Sequence, residues 1–317
     1  MNIFIGYRSA YRYWRTSDPP SDANSTRMHP SAGACVEKAD LASLDLEKYG
    51  ITDQPLHLAM AAADDRCRAK GYVSHVWAGS VPSGAYVKLD KGLYISSPNE
   101  SFIEMAHEVS LVELVRFGYV LCSSYAHVDD GKRGFRKREP LTTVQSLKKF
   151  VAKSAGHRGR KKATRALRFI ADTSASPMET NLVMALCLPR MLGGYGLDLP
   201  ELNPCIKAQG KGLVERDHFS CDLYWRAHRT AVEYDSDEYH SGPEAETRDS
   251  ARRSALLSQG VTVVTITPDQ FFDARKLDEA ARAVAKLTGK RLPSNDASWM
   301  MRRHRLRSEL LEDMRHG

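Results

Sequence analysis

The stretch from His218 to His240 gathers more acidic side chains in one place than a globular fold requires. It divides into two expected strands, Phe219 to Trp225 and Thr230 to Asp235. The polar residues Arg226, Ala227, His228 and Arg229 lie between them, which is the pattern of a hairpin. Alternation puts Ser220, Asp222 and Tyr224 on one face of the first strand and gives Glu233 and Asp235 a shared face on the second. With those four residues as the loop, Asp222 falls opposite Glu233 and Asp235 lies two positions along, so three carboxylates converge. Like charges facing one another across a ladder are destabilising unless a cation fills the gap or one acid stays protonated. A hard divalent cation, Mg²⁺ or Mn²⁺, resolves the conflict: it takes one or two protein carboxylates, waters and a phosphate oxygen, and it can activate water and stabilise a leaving oxygen. The plainer reading is a pair of solvated edge acids, so the surroundings decide.

Those surroundings include a concentrated positive charge. The whole chain carries +7, but residues Lys132 to Arg168 contain fourteen Lys or Arg and a single acid, Glu139, so this segment carries +13 and the remainder −6. Lys132 to Arg138 reads as a loop beside Gly131 and Gly134, whereas Arg158 to Ile170 has a helical period. On the wheel Arg158, Lys161, Lys162, Arg165 and Arg168 fall within about 120°, opposite Ala163, Ala166, Leu167 and Ile170. A one-signed face of this kind suits the phosphates of DNA, against the plainer reading of a solvated face. Near the start, Tyr7, Tyr11, Tyr13 and Trp14 alternate with Arg8, Arg12 and Arg15, either to stack on bases or to pack with snorkelling arginines.

The elements that position these residues follow from pattern and punctuation. A length of 317 residues suggests two domains, and 42% hydrophobic with 27% charged residues describes a globular chain. Six cysteines without a CxxC pair make zinc and disulfide scaffolds poor fits, no apolar run reaches membrane-span length, and Met1 to Tyr7 is too short for a signal segment; a cytoplasmic protein is expected. The N-terminal region reads as a strand at Met1 to Gly6, a loop at Thr16 to Ala34 and a helix from Pro55 through Leu56, Ala59, Met60, Ala63 and Cys67, stopped by Gly71. Strands follow near Tyr72 to Trp77, Ala85 to Leu89 and Gly92 to Ser96, then one long helix from Asn99 through Leu114. Within it His107-Glu108 opens an HExxH motif, but Leu111 occupies the second His position and removes the zinc reading.

Ser176-Pro177-Met178-Glu179 is a helix start with Ser as N-cap, Pro at N1 and Glu at N3. Glu179 completes a capping box on this reading, yet it also shares the inward face of Leu182, Val183 and Leu186, and both roles stay open. A strand is expected near Asn203 to Ala208, bringing Lys207 and Lys211 close in sequence to the acids. After them come a helix from Glu244 to Gln259 closed by Gly260, a buried strand from Val261 to Thr267, and helices at Asp278 to Leu287 and Met300 to Arg315.

From Ser176 to Leu287 the element order is helix, three strands, helix, strand. With Asp222, Val232, Glu233, Asp235, His240, Asp249, Arg252, Arg253, Ala255, Leu256, Leu257, Gly260, Val263 and Thr267 in sequence, this region resembles the restriction-endonuclease-like, or PD-(D/E)XK, superfamily. The similarity is to domains related to very-short-patch-repair endonucleases, with their D-x-W, V-E-x-D-G-x-x-H-H and D-x-x-R-R-x-A-L-L-x-x-G-x-x-V patterns. Upstream, Ser97-Pro98 and the Leu-rich helix ending near Gly118-Tyr119 resemble AbiEi-type antitoxin-like proteins. The resemblance implies that Asp222 and Glu233 hold Mg²⁺ or Mn²⁺, that Glu179 assists, and that His240 acts as acid/base or binds the scissile phosphate. It also implies substrate contacts from Asp249, Arg252 and Arg253. The chain departs from the pattern at Tyr224 for Trp, Ser236 for Gly, Tyr239 in the His pair, and above all Asp235 where many such nucleases place lysine; Lys207 is the neighbouring amine that could substitute.

The expectation is an α/β chain with an αβββαβ nuclease core behind a mixed α+β region. Residues 1–130 would recognise a target or partner, 131–175 bind DNA, 176–290 form the core and 291–317 a charged terminal helix. The function expected is metal-dependent endonucleolytic hydrolysis of DNA; the alternative is a non-catalytic DNA-binding regulator or antitoxin-like protein that keeps the fold. A protein partner or a homo-oligomer through the N-terminal region and the absence of a membrane partner complete the expectation.

Overall fold

Ile3–Ile5, buried at all three positions, forms strand β1. It lies inside a six-stranded sheet with β2 (Ser25–Thr26), β3 (Leu56–Met60), β4 (Tyr72–Val76), β5 (Tyr86–Asp90) and β6 (Leu93–Ser96), in the order β2-β5-β6-β1-β3-β4. The sheet is mixed: β1 runs parallel to β6 and antiparallel to β3, which runs parallel to β4. The computed structural model describes residues 2–20, 25–26, 28–31, 44–52, 54–77, 81–128, 134–207, 218–235, 256–294 and 296–316. The chain divides into two units, Met1–Ile170 and Ala171–Gly317.

Two expectations for the first unit are corrected. Leu56 to Met60 does not open a helix. It is an inner strand covered on both faces, and a continuous apolar run of this kind does not by its spacing distinguish a buried strand from a helix. The single long helix from Asn99 is two helices, α2 (Pro98–Glu108) and α3 (Leu111–Cys122), following α1 (Tyr7–Thr16). Ser110 interrupts it by taking an extended conformation and accepting the Glu113 amide, as Ser97 accepts that of Glu100 at the start of α2. Helices α4 (Val144–Lys153) and α5 (Arg160–Ala166) pack on α2 around Phe102, Ile103, Leu147 and Ala163.

The basic segment is more ordered than expected. Phe135–Lys137 is strand β8, paired with β7 (Tyr125–His127), rather than loop. Arg138, 7% exposed, donates to the carbonyls of Trp14 (2.9 Å), Ser17 (2.7 Å) and Val120 (2.5 Å), at the C-terminal ends of α1 and α3. Arg136 bonds Asp18 and the Thr16 carbonyl, Arg160 the carbonyls of Val151 and Ala152, and Lys162 that of Val109. Helix C-termini leave carbonyls unsatisfied and favour positive charge. Four cations of the +13 segment, Arg136, Arg138, Arg160 and Lys162, are therefore engaged at helix ends.

In the second unit α6 (Pro177–Cys187) is buried at every position from Glu179 to Cys187, including the polar Glu179, Thr180 and Asn181 of its first turns. A four-stranded sheet has the order β14-β13-β12-β9, from β9 (Glu201–Leu202), β12 (Leu223–Trp225), β13 (Thr230–Tyr234) and β14 (Thr262–Ile266). The first three run antiparallel and β14 joins parallel to β13. β14 is an edge strand with a half-exposed middle, not the buried strand expected. β10 (Ile206–Lys207) and β11 (His218–Phe219) form a separate pair, so neither the expected strand at Asn203 to Ala208 nor that at Phe219 to Trp225 is continuous. Helices α7 (Pro268–Phe272), α8 (Ala274–Leu287) and α9 (Ala297–His316) complete the unit. The terminal helix is anchored by Trp299, 1% exposed, between the guanidinium groups of Arg190 and Arg303.

Beneath the first sheet lies a buried acid. Glu104, on α2, accepts the Tyr7 amide (2.8 Å) and the Ser96 hydroxyl (2.9 Å), and a Cβ on Gly6 would come within 2.8 Å of its carboxyl. Burial pushes its pKa up to about 8. The folded state then keeps a proton that the unfolded chain releases near 4.5, so this contribution is complete at low pH and is lost as pH rises toward 8. Replacing Glu104 by Gln keeps an acceptor and removes the titration. In denaturant unfolding the stability of E104Q relative to wild type should rise from pH 5 to pH 8. A pH-independent difference would contradict the assignment.

Candidate functional site

The acids are positioned by the turn between β12 and β13. Arg226–His228 makes one 3₁₀ turn and Arg229 adopts a left-handed conformation (φ 46°), held by Thr262 N–H donating to its carbonyl (2.9 Å). The strands pair Leu223 with Val232, Tyr224 with Ala231 and Trp225 with Thr230. One step further along that register, Asp222 faces Glu233, as the hairpin pattern implies. Both are half-buried, and so is Asp235. Tyr224 and Ala231, on the same face by alternation, pack with Leu256 of the helical turn at 256–258.

Asp222 is fixed at both its ends. Its Oδ2 accepts the Tyr234 amide (2.7 Å), and its carbonyl accepts the Asn203 amide (3.0 Å). Asn203 in turn donates its side-chain amide to Glu179 Oε2 (2.6 Å), an oxygen that also accepts the Ala175 amide (2.8 Å). Glu179, Asn203 and Asp222 are thus joined in one chain of hydrogen bonds. Sequence reasoning missed Asn203; the signal was an Asn directly after a short strand, a residue that tolerates the left-handed conformation it takes (φ 47°).

The capping box at Ser176 is only half made. Ser176 Oγ accepts the Glu179 amide (3.1 Å), but the Glu179 carboxyl reaches past the N-cap amide to Ala175 and Asn203. It is 7% exposed, and burial raises its pKa against the lowering effect of those bonds. The threefold carboxylate cluster is a further correction: among the described residues no group of three or more His, Cys, Asp or Glu is gathered to hold a metal. The Asp222 carboxyl is turned onto the Tyr234 amide, and Asp235 lies beyond the last residue of β13, its own amide donated to Ile266. Two opposed carboxylates remain, a donor set that suits Mg²⁺ when waters and a phosphate complete the shell. Lys207 lies on β10, outside the four-stranded sheet. His240, Asp249, Arg252 and Arg253 lie outside the described residues.

On the basic face, Arg158, Lys161, Arg165 and Arg168 are exposed, while Ala163, Ala166, Leu167 and Ile170 are buried as expected. Lys162 departs from the expectation, being half-buried with its ammonium on the Val109 carbonyl (2.8 Å). No described helix is long and apolar enough to cross a membrane.

Two uncharacterized proteins of Mycobacterium tuberculosis, from the Oshkosh and H37Rv strains, are each 31% identical to the chain over 141 residues, 44% of this chain and 46% of theirs. The chain thus spans about half the length of the curated relatives it matches. No family model and no solved structure matches it.

Both bonds to the Glu179 carboxyl end on one oxygen, which a glutamine also offers. Glu179→Gln should leave the denaturation midpoint nearly unchanged, whereas Glu179→Ala strands two donors and should cost about 1–3 kcal/mol. Equal losses in the two variants would mean that the charge, rather than the acceptor, holds this corner.

Proposed function

We propose that the unit Ala171–Gly317 is a metal-dependent DNA endonuclease core of the restriction-endonuclease-like class, hydrolysing phosphodiester bonds. The observation that carries this reading is the β12–β13 register, which sets Asp222 opposite Glu233 at a cost in repulsion that a divalent cation would relieve. The order of α6, β9, β12, β13 and β14, with the last strand parallel to the third, supports it. Asp222 and Glu233 would hold Mg²⁺ or Mn²⁺, which when bound supplies Lewis-acid polarisation and a water of lowered pKa.

The chain's own contribution is positioning. The Tyr234 amide orients the carboxyl of Asp222, while Asn203 carries the influence of Glu179 to the Asp222 backbone. Glu179 acts through Asn203 and is a positioning residue. His240, five residues after Asp235, is the candidate that the resemblance offers for proton transfer to the leaving oxygen. Asp235 stands where the resemblance places a lysine, so phosphate charge would fall to the metal and to arginines such as Arg252 and Arg253. Exposed Arg158, Lys161, Arg165 and Arg168 supply contacts to the DNA backbone.

A second reading is a DNA-binding regulator or antitoxin-like protein that keeps this fold without turnover. The aspartate at position 235 favours it, together with the two-carboxylate rather than three-carboxylate set among the described residues. Nicking of supercoiled plasmid separates the two. The wild type should nick in Mg²⁺ or Mn²⁺ and not in EDTA, and Glu233→Gln should lower the rate by roughly 10²-fold or more at an unchanged melting temperature. Binding without nicking in either metal would support the regulator.

The basic face gives an independent prediction. Each phosphate contact adds about 0.9 to the magnitude of the salt slope of duplex binding, so replacing Lys161, Arg165 and Arg168 together by Gln should flatten it by roughly 2 to 3 units. Lys162→Gln should instead mainly lower stability, because it unties the end of α2. An unchanged slope in the triple variant would make this face a solvated one.

A further inference from the structure

The unit Met1–Ile170 contains an open cleft of about 390 Å³, within the range of small-molecule sites. Three kinds of residue line it: the cationic Arg66 and Arg158, the aromatic Tyr7 and Trp77 with several histidines, and the acidic Glu108. The acidic residues of the second unit play no part in it.

The walls are held with care. Tyr7 takes a left-handed conformation (φ 52°), uncommon for an aromatic residue, and its amide is fixed by buried Glu104. Its ring lies flat on His75 (3.7 Å, 12°), whose Nε2 is hydrogen-bonded to Nδ1 of His57 (2.8 Å). Burial holds His75 and His157 down to about 4, so both are neutral hydrogen-bonding groups near pH 7. His157 Nδ1 accepts the Gly159 amide (3.1 Å), which leaves the proton on Nε2, and its ring packs against Trp77 (4.5 Å).

The two arginines contrast with Arg136, Arg138 and Arg160. Those are tied to carbonyls or an acid, whereas the guanidinium groups of Arg66 and Arg158 make no hydrogen bond or ion pair among the described residues. Glu108 already pairs with Arg8 (4.0 Å) and His107 (3.6 Å). A bare anion would meet the Glu108 charge and leave the rings unused, while a neutral nucleoside would leave both arginines unused. A ligand with a phosphate, a flat ring and hydrogen-bond donors uses all three features.

We propose that this cleft binds a nucleoside monophosphate unit, its phosphate on Arg66 and Arg158, its base against Trp77 and its donors toward Glu108. The unit is either a free nucleotide or the 5′-phosphorylated end of a strand. The site shares Arg158 with the proposed DNA-contacting face but uses none of the acids of the second unit, and its test needs no metal.

The experiment is isothermal titration calorimetry of the full chain in EDTA with AMP, CMP, GMP and UMP, alongside adenosine and inorganic phosphate. At least one of the four nucleotides should bind at one site per chain, with adenosine and phosphate at least tenfold weaker. Arg66→Gln and Arg158→Gln, both at exposed positions, should each weaken binding by about tenfold at an unchanged melting temperature. A 5′-phosphorylated oligonucleotide that binds more tightly than the nucleotide, and loses affinity in the same variants, supports the proposal with a strand end as ligand; equal or weaker binding supports it with the free nucleotide. No nucleotide binding at 1 mM, binding untouched by both variants, or phosphate binding as tightly as the nucleotides would overturn it.

Discussion

The candidate site depends on the register of one hairpin. Shifting β12 against β13 by a single residue would carry Asp222 to the other face of the sheet and leave Glu233 without its counterpart. The turn excludes that shift. Arg229 is held in a left-handed conformation through its carbonyl by Thr262 and through its guanidinium by Gln259, so the loop, the last strand and the preceding helical turn set the register together. On the other side, Arg226 clasps Glu201 by two bonds of 2.7 and 2.6 Å and joins β12 to β9. The opposition of two carboxylates is thereby imposed by the packing of neutral residues around them, chiefly Leu223, Tyr224, Ala231 and Val232.

A second constraint shapes the first unit. Four helices end in carbonyls that lack partners within their own helix and need donors from elsewhere. Arg138, Arg160 and Lys162 supply them, and Arg138 does so while almost fully buried. Positive charge counted along the sequence therefore overstates what is available to a polyanion. Outward among the described residues are Lys137 on β8, Lys148, Lys149 and Lys153 on α4, and the set on α5 and its flanks.

These cases show what a sequence reveals and what it hides. The hairpin was legible because its connection is four residues long and its strands alternate, and the start of α6 because Ser, Pro and Glu stand in a fixed order. The strand at Leu56 was not, since a strand covered on both faces has no alternation to read. Ser110 hid a helix break inside an apolar stretch, and only its side-chain bond to Glu113 shows why the chain restarts there. Asn203 and Arg138 escaped because their roles lie in partners far away in sequence: Glu179 for the first, Trp14 and Val120 for the second. Glu179 shows the intermediate case, its inward position readable and its partner not.

In the proposed function Asp222 and Glu233 together form a cation site. Titration of the full chain with Mn²⁺, followed by the electron paramagnetic resonance signal of the free ion, tests it without reference to turnover. The wild type should bind Mn²⁺, and binding should be lost in Asp222→Asn, where the amide oxygen can still accept the Tyr234 amide and the fold is kept. Undiminished Mn²⁺ binding by that variant, with its melting temperature unchanged, would contradict it.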